Sequence, residues 1–120
     1  MSELLLHITE RSLWDAARDK GAYEMSTRGK TLQEEGFIHC SLRPQLARTA
    51  SFLYGSHDGP DDLVVLVVDP ALLDVPLRYE EATPGGEVFP HVYGPIPVSA
   101  VVDVEVWDGR GDGQPGSPPE

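Results

Sequence analysis

Cysteine is nearly absent from this chain of 120 residues: the single Cys40 has no partner for an internal disulfide, so the fold must rest on its core. Basic residues are scarce as well. Nine Lys and Arg stand against twenty Asp and Glu, a net charge of -11 that repels phosphate backbones and argues against non-specific nucleic-acid binding. No stretch reaches the roughly 18 to 20 apolar residues of a membrane span. The opening Met1-Ser2-Glu3-Leu4-Leu5-Leu6-His7 has no basic segment and too short an apolar block for a secretory signal. A soluble protein of a reducing, bacterial-type cytoplasm is expected, with no membrane partner. No Gly-x-Gly-x-x-Gly follows Leu6 or Val68, which removes a Rossmann reading, and close pairs such as His-x-His or His-x-x-x-His are missing too.

What is present is a 40% apolar content, enough for one ordinary domain over residues 1–107. Leu4 to Thr9 reads as a strand, followed by a helix capped by Ser12 that carries Leu13, Ala16 and Ala17 at helical spacing and ends at Gly21. Thr31-Leu32-Gln33-Glu34 has the form of a capping box, stopped by Gly36. Phe37 to Cys40 fits a strand. Ser41 is placed to cap a second main helix with Leu46, Ala47, Ala50 and Leu53 on one face, closed by Gly55. Leu63 to Val68 is an unbroken apolar run, expected to be a strand covered on both faces. A helical turn over 70–73 and strands over 77–81, 87–93 and 98–107 complete an α+β pattern of early helices and late strands. Residues 108–120, rich in Gly and Pro with acidic ends, are expected to form a disordered tail.

Three of the four histidines fall on expected strands, where residues two apart share a face. His39 lies with Phe37, while Ile38 and Cys40 point the other way. His7 lies with Leu5 and Thr9, and His91 with Phe89 and Tyr93. Any one of them alone is most simply a boundary histidine donating to a backbone carbonyl. Together, beside aromatic rings and hydroxyls, they suit a shared ligand cleft. Cys40, on the face opposite His39, is a small apolar filler rather than half of a thiol–imidazole pair. His57 sits in a Gly/Asp-rich turn and is read as a solvated loop residue.

Glu80 takes the face opposite Tyr79 and Glu81; if buried, it orients a histidine or acts as a general base. Phe89-Pro90-His91-Val92-Tyr93-Gly94-Pro95-Ile96-Pro97 is proline-dense. Proline donates no ladder hydrogen bond, so this segment is expected at a sheet edge or as an extended wall that holds His91 and Tyr93 toward the cleft.

Leu6-His7-Ile8-Thr9, Glu35-Gly36-Phe37-Ile38-His39-Cys40-Ser41 with Gln45, Tyr79-Glu80 and Phe89-Pro90-His91-Val92-Tyr93-Gly94-Pro95 together resemble the domain-of-unknown-function 952 family of small bacterial proteins. The resemblance runs from about Leu4 to Trp107. It implies an ADP-ribosyltransferase-like split β-sheet core with two main helices, whose cleft binds NAD in the active members. On that likeness His7 takes the place of the His or Arg that contacts a ribose hydroxyl, and Gly36 to Ser41 borders the nicotinamide pocket. Where the transferases commonly place a late-strand glutamate, this chain has Glu87 upstream and His91 and Tyr93 within the strand.

Three functions compete. The first is an enzyme of glycosyl transfer or hydrolysis acting on NAD, ADP-ribose or a nucleotide-like ligand. His7, Thr9, Phe37 and Ser41 would bind it, and His39, His91, Tyr93 and Glu80 would carry the chemistry. The second is a binding or sensor module that keeps the cleft without turnover. The third is a metal-dependent enzyme using three histidines. A small-molecule ligand is the expected partner in the leading reading, with no metal assigned and NAD as a substrate or ligand rather than a fixed cofactor.

Overall fold

In the computed structural model, which describes residues 3–27, 30–54, 63–81 and 84–107, strand β1 (Leu5–Glu10) runs without a break into helix α1 (Arg11–Lys20). Glu10 therefore holds the cap position, with no side-chain bond, and Ser12 lies inside the helix instead of capping it. Gly21 ends the helix at φ 93°, a left-handed conformation that glycine adopts without strain. Three short strands follow, β2 (Ala22–Tyr23), β3 (Met25–Thr27) and β4 (Lys30–Thr31), and then the single turn α2 (Leu32–Glu35). The capping box forms: Glu34 N–H donates to Thr31 Oγ1 at 3.2 Å, and Thr31 N–H to Glu34 Oε1 at 2.8 Å.

Strand β5 is only Ile38–His39, and helix α3 (Leu46–Tyr54) is entered through a 3-10 turn at Arg43–Gln45. Ser41 does not cap it. Its backbone exchanges two hydrogen bonds with Leu6, at 2.7 and 2.8 Å, and the turn is opened instead by Leu42, whose N–H donates to Gln45 Oε1 at 2.9 Å. After β6 (Leu63–Val68) come a 3-10 turn at Pro70–Leu72, β7 (Leu77–Glu81), β8 (Val88–Val92) and β9 (Ile96–Pro97). A 3-10 turn at Val98–Ala100 precedes β10 (Val101–Trp107), so the last strand begins three residues later than the pattern suggests. His57, Gly55 and residues 108–120 lie outside the described residues.

The elements make an α+β architecture with two three-stranded antiparallel sheets, β1-β6-β10 and β5-β8-β7, and two small pairings, β2-β9 and β3-β4. All of β6 is buried, as its apolar run requires. Val65 and Val67 pack with Leu6 and Ile8 against Leu46, Ala50 and Tyr54 of α3. Val64, Leu66 and Val68 turn to the other side, into a core with Leu5, Trp14 and Ala17 that also takes Ile38 and Val92 of the second sheet. That shared core and the Leu6–Ser41 bridge join the two sheets. No helix among the described residues is long and apolar enough to cross a membrane.

Candidate functional site

The second sheet builds the site. His39 stands opposite His91, while Arg78 stands opposite His91 and Glu80 opposite Phe89 on the other side of β8. Residues directly opposed across strands share a face, so both histidines, Phe89, Arg78 and Glu80 line one surface. Ile38, Val92 and Leu77 take the reverse surface and enter or pack on the core.

The proline-dense β8 is thus central, not an edge strand as its composition suggests. The carbonyl of Pro90 accepts from Cys40 N–H at 2.9 Å, so its missing N–H also faces β5. Only the return bond to Cys40 is lost, and β5 ends there at His39; the ladder with β7 continues through Tyr79 opposite Pro90.

On the shared surface Glu80 Oε1 lies 2.8 Å from His91 Nδ1, and His91 Nε2 lies 3.2 Å from His39 Nδ1. The Tyr93 hydroxyl also donates to Glu80 Oε1, at 2.5 Å. A carboxylate only accepts, so His91 carries its hydrogen on Nδ1; in the neutral ring Nε2 is then bare and accepts from His39 Nδ1–H. His39 Nε2 is left as the lone-pair end of the chain. Burial, followed by the charges His91 and His7 can carry, lowers the His39 pKa to about 4, so this ring is neutral at pH 7. The hydrogen bonds from Tyr93 and then His91 hold the Glu80 carboxyl below its usual range, and the bond to Glu80 raises the Tyr93 phenol. Tyr93 therefore keeps its proton and anchors Glu80.

Aromatic rings fix the imidazoles. Phe37 stacks on His91 with centroids 4.1 Å apart and planes 18° from parallel, and Phe89 tilts against His39 at 5.0 Å. Two adjoining depressions share Phe37 and His39. One, of about 440 Å³, adds Phe52, Phe89, Ser26 and Thr49, with Glu35 and an Arg48–Glu87 ion pair of 2.8 Å around it. The other, of about 410 Å³, adds His91, Glu80 and Glu81.

His7 is not part of this surface. It is 3% exposed; Nδ1 donates to the His39 carbonyl at 2.7 Å, and Nε2 lies 2.7 Å from the Tyr23 hydroxyl, itself 2.8 Å from Thr9 Oγ1. Burial lowers its pKa to about 4, so the ring is neutral, Nε2 accepts the Tyr23 proton, and Thr9 is left to donate to the Tyr23 oxygen. The boundary-histidine reading holds for His7, which braces the main chain of His39 from behind. Ser41 is also buried and donates to Thr49 Oγ1 at 2.9 Å. Neither depression is lined by His7, Thr9 or Ser41. With both His7 nitrogens engaged, the three histidines do not assemble as metal ligands, and no three His, Cys, Asp or Glu among the described residues are grouped for a metal.

The model of the family described as "Protein of unknown function (DUF952)" matches residues 8–104. The chain belongs to the DUF952 family. The crystal structure of protein CC0527 from Caulobacter crescentus is 37% identical, covers 93% of this chain and 92% of its own, and superposes with a TM-score of 0.71. The solution NMR structure of CC0527 is 32% identical, covers 90% and 89%, and has a TM-score of 0.59. No curated protein matches the chain.

In this DUF952 protein Gln45 acts structurally. Buried, it donates to the Val88 carbonyl at 2.7 Å and to Glu87 at 3.1 Å, tying the turn before α3 to the start of β8. Reasoning from strand periodicity misses Ser26, Thr49, Arg48 and Phe52. The last three sit on a helix whose apolar face reads only as core, and Ser26 lies on a strand too short to show alternation.

Proposed function

We propose that this DUF952 protein is an enzyme that binds a nucleotide-like ligand, NAD or ADP-ribose first among them, across the two depressions, and moves a proton there through His39. The single observation behind this reading is the Glu80–His91–His39 chain ending at the surface both depressions share. In glycosyl transfer or hydrolysis, His39 Nε2 accepts the proton of the attacking hydroxyl or water as the new C–O bond forms. The C–N glycosidic bond breaks, and the leaving ring takes the bonding pair. The Nδ1 hydrogen of His39 passes to His91 Nε2, and the positive charge comes to rest against the Glu80 carboxylate, the base–orienter arrangement of many hydrolytic sites. His7 positions His39 through its carbonyl, and Tyr93 positions Glu80. The junction of two sheets at Leu6 and Ser41 supports the ADP-ribosyltransferase-like architecture behind the choice of NAD.

The test is titration with NAD and ADP-ribose, followed by NMR at His39 and His91 and by product analysis. Turnover that disappears in His39→Ala and His91→Ala, with the fold intact, supports the proposal. No perturbation of these residues by NAD, ADP-ribose or related nucleotides sinks it. The low basicity of His39 favours a second reading, a binding module without turnover, for which the same titration shifts the histidines and no product forms.

A further inference from the structure

The larger depression is lined in part by a buried serine. Ser26 is 1% exposed, and its Oγ has no hydrogen-bond partner among the described residues, although an unpaired buried hydroxyl costs stability. Ser26 lines the depression, as does Thr49, whose hydroxyl accepts from Ser41 and keeps its own hydrogen. The walls are Phe37, Phe89 and Phe52, the last 88% exposed on α3. A volume of about 440 Å³ falls within the range of small-molecule sites. Charge narrows the choice of ligand. Arg48 is bound to Glu87, and Glu35 adds another carboxylate, so this lobe offers a phosphate no net attraction.

We infer that this lobe is a subsite for a neutral or cationic heteroaromatic ring, held between phenylalanines with a polar edge hydrogen-bonded to Ser26, and that Ser26 sets its specificity. The inference rests on the proposed cleft only in sharing Phe37 and His39; ring binding does not require the proton relay. For a nucleotide-like ligand it places the ring on the Ser26 side. Phe52 closes over the ring as its exposed face is buried.

The experiment is an NMR titration of the whole chain with adenine, cytosine and benzimidazole, and with 1-methylindole as a flat ring that lacks a hydrogen-bonding edge, in wild type and Ser26→Ala. At least one of the first three should shift the signals of Ser26, Thr49 and Phe52. Ser26→Ala should weaken that ring about tenfold, the usual worth of a neutral hydrogen bond, and leave 1-methylindole unchanged. Ser26→Ala should also raise the Tm of the free protein, since it removes an unpaired hydroxyl. If no probe shifts these residues, or if Ser26→Ala binds the ring as tightly as wild type, the inference is overturned. Nucleotide titration that still perturbs His39 and His91 in that case leaves the proposed function standing. Ring binding without any response to NAD or ADP-ribose refutes that function and leaves this subsite.

Discussion

His39 Nδ1 and His91 Nε2 lie 3.2 Å apart on directly opposed residues of β5 and β8, and one hydrogen shared between them ties the protonation of each ring to the other. Glu80 decides which way that hydrogen points, because its carboxylate claims the Nδ1–H of His91. The acceptor end of the chain is thereby delivered to His39.

Glu80→Gln tests the part played by charge. The amide oxygen can take the same two bonds from His91 and Tyr93, so geometry is kept while the negative charge is lost. Turnover should fall by about 10²-fold or more with ligand affinity within twofold, the pattern of a lost proton-transfer contribution. Single-turnover kinetics beside a binding titration separates the two, and weaker affinity at unchanged turnover contradicts the assignment.

Stability should depend on pH through the buried histidines. His7 and His39 each have a pKa lowered to about 4 from an ordinary 6.5, so between those values the unfolded chain binds protons that the native chain does not. Stability is therefore full above about pH 6.5 and is lost as pH falls toward 4, by on the order of 3 kcal/mol for the fully buried His7. The carboxyls held low, Glu34, Glu80 and Glu87, add their loss only below their ordinary 4.5. Urea midpoints from pH 4 to 7 should fall more steeply with acid in wild type than in His7→Gln; parallel curves contradict the account.

Gly94→Ala should be costly. An added Cβ would lie 2.5 Å from Val75 Cγ1 and 2.8 Å from Val75 Cβ, too close for the valine to avoid by turning. Gly94 follows Tyr93, whose N–H donates to the Pro76 carbonyl at 2.8 Å, so this close approach helps to hold the tyrosine that anchors Glu80. A loss of about 1 to 3 kcal/mol is expected, partly recovered by Val75→Ala, and is read from urea unfolding. An unchanged midpoint counts against this packing.

Period-two alternation is enough to place His39 with Phe37, His91 with Phe89, and Glu80 apart from Tyr79, because strand geometry alone sets those faces. It does not tell that His7, on an equally good face, is sealed beneath Tyr23, since burial depends on which element covers a strand. Pro90 misleads for a similar reason: one missing N–H is tolerated in a central strand when the neighbour on that side ends there. Ser12 and Ser41 carry cap chemistry, yet the chain enters α1 directly from a strand, and the backbone of Ser41 is engaged by Leu6. Ser26 shows no pattern at all in the sequence and is found only as a hydroxyl without a partner among the described residues.

The most direct measurement is a long-range proton–nitrogen NMR spectrum of the imidazole rings at pH 7. The relay requires His39 and His91 each to carry hydrogen on Nδ1, with His39 Nε2 bare toward the ligand. If His39 carries its hydrogen on Nε2, or is charged, its ring donates where the proposed chemistry needs an acceptor, and the relay is wrong.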